Sequence, residues 1–182
     1  MTEELEVLRI ITQRLNKANI TYMISGSIAA NYYTVPRMTR DIDIVIELAY
    51  PDVNKFVDLF QSDFYIDKEM IKKEILQQGI FNLIHNQYVI KIDFIIRKGT
   101  EFQNTAFLRR KKILIETNPM WFISAEDLIL AKLNWAKSSH SEMQLNDVRN
   151  LLGTVKGLDM DYIKVWIGKL DLSQIYKEVK ND

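Results

Sequence analysis

Cysteine is absent from all 182 residues, which removes disulfides and thiolate metal sites from consideration. No stretch approaches the roughly 20 uninterrupted apolar residues that a membrane-spanning helix needs. A surplus of one charge is missing too: 24 Lys and Arg face 24 Asp and Glu, for a formal net charge of zero. A protein that grips nucleic acid mainly by neutralising phosphates carries a basic excess. Any such contact here must come from a local patch. The one dense basic run, Arg109-Arg110-Lys111-Lys112, reads as a solvated turn before a strand. The opening segment MTEELEVLRIITQRL lacks the basic and apolar regions of a signal peptide, so the cytoplasm is the expected location and no membrane partner is expected.

Hydrophobic residues make up 47% of the chain, enough for a real core. A length of about 100–200 residues is usual for one domain. Glu3 to Lys17 reads as an amphipathic helix, with Leu5, Leu8, Ile11, Thr12 and Leu15 at 3–4 residue spacing. Ile20 to Ile24 is a short apolar strand, and Gly26-Ser27 opens a helix that stops before Pro36. Asp41 to Glu47 is an alternating strand, and Pro51 sits at the first turn of a helix reaching about Gln61. A short strand near Phe64–Ile66 and a helix or loop over Glu69–Gln77 come next. Strands at Ile80–Ile84 and Tyr88–Arg97 follow, joined by a turn at His85-Asn86-Gln87. Ile113–Ile115 and Met120–Ile123 complete the strands.

Ser124 then reads as an N-cap followed by the acids Glu126 and Asp127, and the remainder is helical. The expectation is an α/β (α+β) core over residues 1–123, a mixed sheet flanked by helices, with a helical segment over 124–182 packed on it. His85 and His140 have no metal-ligand partner at useful spacing and read as surface residues. Trp121, Trp135, Trp166 and the methionines read as core.

Chemistry concentrates before and within two strands. In Asp41-Ile42-Asp43-Ile44-Val45-Ile46, residues two apart share a face, so Asp41 and Asp43 project together and the isoleucines take the other side. Adjacent carboxylates repel unless a cation sits among them. Mg²⁺ suits the position, because it takes one or two carboxylates together with substrate phosphates. In Val89 to Ile96 the apolar face is Ile90, Ile92, Phe94 and Ile96, leaving Lys91 and Asp93 opposite. Beside the first strand, Asp93 would complete a three-carboxylate cluster able to hold two metals for phosphoryl displacement. Gly26-Ser27 offers a close backbone approach and a helix N-terminus for an anion.

Taken together, Gly26-Ser27, the R-x-T-x-D-x-D stretch from Arg37 through Thr39 to Asp41 and Asp43, and a lone Asp93 in a later strand resemble the DNA polymerase β-like nucleotidyltransferase superfamily. The resemblance spans roughly residues 20–152 and is greatest to the minimal nucleotidyltransferases and AbiEii-type toxin proteins. It implies the nucleotidyltransferase fold and a Mg²⁺-dependent transfer of a nucleoside monophosphate from an NTP to an acceptor hydroxyl, with release of pyrophosphate. By the same resemblance Asp41, Asp43 and Asp93 hold Mg²⁺, two ions being expected, and Asp93 helps activate the attacking hydroxyl. Gly26, Ser27, Arg37, Thr39 and Lys132 hold the NTP phosphates. Ser124-Ala125-Glu126-Asp127-Leu128 to Lys132-Leu133 and the later Asp147 echo a second family segment, in which Asp147 steadies Lys132. The connector SSHSEMQLN departs from it.

From the residues alone Lys132 reads equally as a snorkelling surface lysine, and Asp147 as a helix cap or an ion-pair partner of Arg149 or Lys137. Arg37 and Arg40 read equally as neutralising the acidic cluster. The acceptor is expected to be RNA, tRNA or protein, with an antitoxin protein as a further partner. A small molecule such as an aminoglycoside is the alternative. A non-catalytic partner-binding module is the rival from another class.

Overall fold

The computed structural model describes residues 2–39 and 41–181, and the backbone alone for Asn181. Arg40 and Asp182, both included in the readings above, lie outside the described residues. The opening helix α1 (Glu3–Lys17) is capped by Thr2, carries acids in its first turn and bases in its last, and buries Val7, Leu8, Ile11, Thr12 and Leu15. β1 (Tyr22–Ile24), α2 (Gly26–Tyr33) and β2 (Asp41–Ile46) follow. A single 3₁₀ turn (Tyr50–Asp52) then leads into α3 (Val53–Phe60), β3 (Phe64–Tyr65), α4 (Lys68–Gln77), β4 (Ile80–His85) and β5 (Lys91–Ile96). α5 (Glu101–Leu108), β6 (Lys111–Ile115) and β7 (Asn118–Phe122) complete the sheet region. Four helices end the chain: α6 (Ala125–Ser139), α7 (Glu142–Thr154), α8 (Met160–Lys169) and α9 (Ser173–Asn181).

The strands form one seven-stranded mixed sheet in the order β3-β4-β5-β2-β1-β7-β6. Its centre is the parallel pair β2–β5, matched residue for residue from Asp41↔Lys91 to Ile46↔Ile96. β1 runs antiparallel to β2 and parallel to β7, and β4 runs antiparallel to β5. Alternation in β2 and β5 sorts the two faces as the sequence predicts. Ile42, Ile44, Ile46, Ile92 and Phe94 are buried on one side, with Phe56 of α3 edge-on to both Phe81 and Phe94. Truncating so central a ring as Phe56 to alanine costs about 3–5 kcal/mol. The opposite face carries Asp41, Asp43, Lys91 and Asp93 at its middle.

Several side chains sit elsewhere than the sequence suggests. His85 is no surface turn residue but the buried end of β4. Its ring stacks on Tyr88 and its Nδ1 accepts the Tyr88 N–H, because the turn begins one residue later. Trp135, Met38 and Met143 are more than half exposed and Met70 somewhat less; Trp135 lies off the side of α6 on which Leu133 and Ala136 are buried. Arg109 is not a solvated turn residue. Its guanidinium lies over the Tyr162 ring and pairs with Asp127 at 3.1 Å. Asp127 is fully buried and also accepts from the Ser124 and Tyr162 hydroxyls, so the acids after the N-cap face inward rather than into water. The helix α5 was not anticipated, although Thr100 and Gln103 make a capping arrangement at its start. No helix among the described residues is long and apolar enough to cross a membrane.

Candidate functional site

The site assembles where α2 starts against the middle of β2. Gly26 has φ +61°, a region costly for any residue with a side chain. A Cβ there would stand 1.8 Å from Asp43 Oδ2, so the first turn of α2 can lie on the Asp43 carboxylate only because position 26 is glycine. The Ser25 N–H donates to the Asp43 carbonyl at 2.9 Å and fixes the same approach through the backbone. Asp43 stands directly opposite Asp93 across the β2–β5 ladder. Burial first, and then the neighbouring charge of Asp93, push the Asp43 carboxyl above the usual carboxylate range, with Lys132 pulling partly the other way.

Asp41 begins β2 and is more open, its side chain 59% exposed. Between Asp41 and Asp93 lies an ammonium absent from the sequence-level site: Lys91 Nζ is 2.8 Å from Asp93 Oδ2 and 4.0 Å from Asp41 Oδ1. Its hydrogen bond to Asp93 holds the lysine above its ordinary value. The signal for Lys91 was present in its spacing, since it shares a face with Asp93 two residues on.

A second group lies on the helical side. Lys132 on α6 is buried, not snorkelling, and its Nζ donates to Asp147 at 2.8 Å and to Gln144 at 2.9 Å. Asp147 lies inside α7, so it is neither a cap nor a partner of Arg149 or Lys137. Arg149 reaches Glu142 and Lys137 reaches Asp171. Arg37 completes the group with two hydrogen bonds to Asp147, at 3.0 and 2.9 Å, and one to Ser27 Oγ at 2.7 Å. Burial alone would raise Asp147, but the hydrogen bonds from Arg37 and Lys132 outweigh it and hold the carboxyl below its usual range. Burial pulls Lys132 below the ordinary lysine value, against the opposing pull of Asp147.

The structure therefore gathers Gly26, Asp43 and Asp93 into one cluster, and Ser27, Arg37, Lys132 and Asp147 into another. The Lys132–Asp43 interaction joins them. Thr39 is set apart in the loop before β2, where its hydroxyl donates weakly to the Asp41 carbonyl at 3.4 Å. Gln144, three residues before Asp147, carries no signal in the sequence, because nothing but folding brings it to Lys132.

Among the described residues no three Asp, Glu or His side chains are drawn into a ready-made metal cage. Mg²⁺ needs none, being held commonly by one or two carboxylates and by phosphates that arrive with the substrate. Asp43 and Asp93, two like charges on paired strands with one partly desolvated, form a donor set that fits a divalent cation.

No protein-family model matches this chain, and no curated protein does. Solved structures do. An antigenic nucleotidyltransferase-like protein from Paracoccidioides brasiliensis superposes with a TM-score of 0.56 at 17% identity, over 94% of this chain and 91% of that one. A lincosamide antibiotic adenylyltransferase with lincomycin bound gives 0.56 at 16% identity, over 85% of this chain and 99% of that one. ANT(2'')-Ia in complex with adenylyl-2''-tobramycin gives 0.54 at 13% identity, over 93% and 98%. The chain thus has the fold of these nucleotidyltransferases, the fold that its glycine-serine and aspartate motifs resemble.

Proposed function

We propose that this protein is a Mg²⁺-dependent nucleotidyltransferase that moves a nucleoside monophosphate from an NTP to a hydroxyl of a small molecule, releasing pyrophosphate. The observation that carries the reading is the Asp43–Asp93 pair, held in register on adjacent strands beneath the glycine-serine start of α2. The acceptor oxygen attacks the α-phosphorus, the bond to the pyrophosphate oxygen breaks, and the hydroxyl proton passes to the Asp93 carboxylate. Asp41, Asp43 and Asp93 would hold Mg²⁺, which supplies charge neutralisation at the phosphates. Ser27 and the free N–H groups after Gly26 would bind phosphate oxygens. Arg37 spends its donors on Asp147 and Ser27, so its part is to aim the Ser27 oxygen, while Lys132 offsets the charge beside Asp43.

Two points favour a small acceptor. The zero net charge offers little to a polyanion such as RNA. The chain also matches nearly the full length of two antibiotic-bound neighbours, whose structures contain lincomycin and adenylyl-tobramycin. The test incubates the purified protein with Mg²⁺ and each α-labelled NTP, offering an aminoglycoside and lincosamide panel, total RNA and the protein itself. Label on a small molecule, lost in Asp43→Asn, is the expected result. Label on RNA or protein would keep the reaction and replace the acceptor. No transfer, together with no Mg²⁺–NTP binding by calorimetry, would overturn the activity itself.

A further inference from the structure

The acidic face contains its own cation. Lys91 and Asp93 share the site face of β5, and Asp41 and Asp43 share the facing positions of β2, so four side chains form a two-by-two patch of three acids and one base. The ammonium lies within contact of Asp93 and at the limit of contact with Asp41. A flexible four-carbon stem on a side chain 42% exposed lets that head group leave without moving the strand. Other basic groups close onto acids outside the site, such as Lys164 with Asp161 on α8. Lys91 instead engages a carboxylate that the nucleotidyltransferase reading assigns to metal.

We propose, resting on that reading, that Lys91 is a tethered counterion: it neutralises Asp93 and Asp41 in the free protein and competes there with the divalent cation. Free metal then meets a site already partly compensated and binds weakly. The metal that arrives with a nucleotide brings phosphate oxygens as additional ligands and can displace the ammonium. The residue is thereby a gate on the order of binding, metal together with nucleotide rather than ahead of it.

Mn²⁺ titrated into the full chain, with the free ion followed by electron paramagnetic resonance, tests this without any turnover. Removing one unit charge a few ångströms from the ligands in a partly solvated site predicts roughly three- to tenfold tighter Mn²⁺ binding by Lys91→Met than by wild type. Lys164→Met, which removes a distant surface charge, should bind as wild type does. A non-hydrolysable NTP should shrink the difference between Lys91→Met and wild type, because its phosphate oxygens add ligands to the metal and offer the displaced wild-type ammonium another partner. Mn²⁺ should also raise the melting temperature of Lys91→Met more than that of wild type, and Lys91→Gln repeats the comparison if the methionine disturbs β5. Equal or weaker Mn²⁺ binding by the variants would overturn the counterion role and leave the nucleotidyltransferase reading standing. Absence of Mn²⁺ binding from every form, with and without nucleotide, would overturn both.

Discussion

Asp43 and Asp147 lie at two ends of one polar region and are treated in opposite ways. Asp147 is enclosed by two cations, Arg37 and Lys132, and accepts from both; its carboxyl is held below the usual range. Asp43 has two further acids on its face, a glycine where a donor could have stood, and a carboxyl raised by burial and by Asp93. One carboxylate is satisfied by its surroundings and the other is left wanting a positive charge. A fold tends to satisfy its buried charges, so a cluster whose three acids have only Lys91 and the more distant Lys132 to offset them marks a place where something else is meant to bind. The contrast separates the acid that holds the protein together from the acid that is kept for chemistry.

The largest effect that would break this comparison is on turnover. Asp43→Asn should lower transfer at least about a thousandfold while raising the melting temperature by about 2 °C, since it relieves a like-charge contact. Steady-state rates and calorimetry read the two numbers, and a destabilised, still active variant would reverse the assignment. The pH dependence follows with the same sign. A carboxyl raised in the folded state gives stability that is complete below its unfolded value and lost as pH rises through the folded one. Asp43→Asn should therefore flatten that part of the stability curve above about pH 4.

Asp147→Ala should act on stability first. It leaves Lys132 buried with Gln144 as its remaining acceptor, and stranding one member of a buried pair costs about 3–5 kcal/mol, roughly 10 °C in this size range. Since the Asp147 carboxyl is depressed, its contribution is present above about pH 4 and is lost as pH falls through the lower folded value. Wild type should show an acid-unfolding step there that Asp147→Asn lacks.

Gly26→Ala sits between the two regions. Its Cβ must displace the Asp43 carboxylate, and its φ of +61° costs about 1–2 kcal/mol. The expected result is an activity loss of about a hundredfold with a smaller change in melting temperature. A variant that loses stability but keeps its rate would mean that Asp43 tolerates being moved.

The smallest effect belongs to His85, which lies on the core face of β4, opposite the face that carries the acids. Burial holds its imidazole below the ordinary value, so its contribution is present above about pH 6.5 and falls away as pH drops through the lower folded value. His85→Phe should reduce the loss of stability between pH 7 and pH 5 in denaturant unfolding, with transfer unchanged.

How much of this could be read in the residues depends on the range of the interaction. Alternation within DIDIVI and within the Asp93 strand placed the acids and isoleucines on their correct faces, because side-chain direction along a strand is a local property. The pairing of Asp43 with Asp93 was inferable only as a possibility, since register between strands so far apart is set by the whole sheet. Lys132 and Asp147 gave no local sign of their enclosure; Arg37 comes from a third element, and only tertiary packing brings the three together. The same limit hid the burial of Glu126 and Asp127, which look like ordinary acids of a first helical turn. It also hid the exposure of Trp135, which lies off the side of α6 that buries Leu133 and Ala136.

The direct hydrogen-bonded union of β2 and β5 has an evolutionary corollary. Everything between them in sequence, from Glu47 to Ile90, is an excursion that leaves the sheet centre and returns to it. The spacing of the acids is fixed by a ladder that the excursion does not enter. Its helices and connections can therefore be exchanged for others, provided a strand still covers the outer edge of β5. A family built on this plan can change what lies beside Asp93 without retuning the distance between its two central acids.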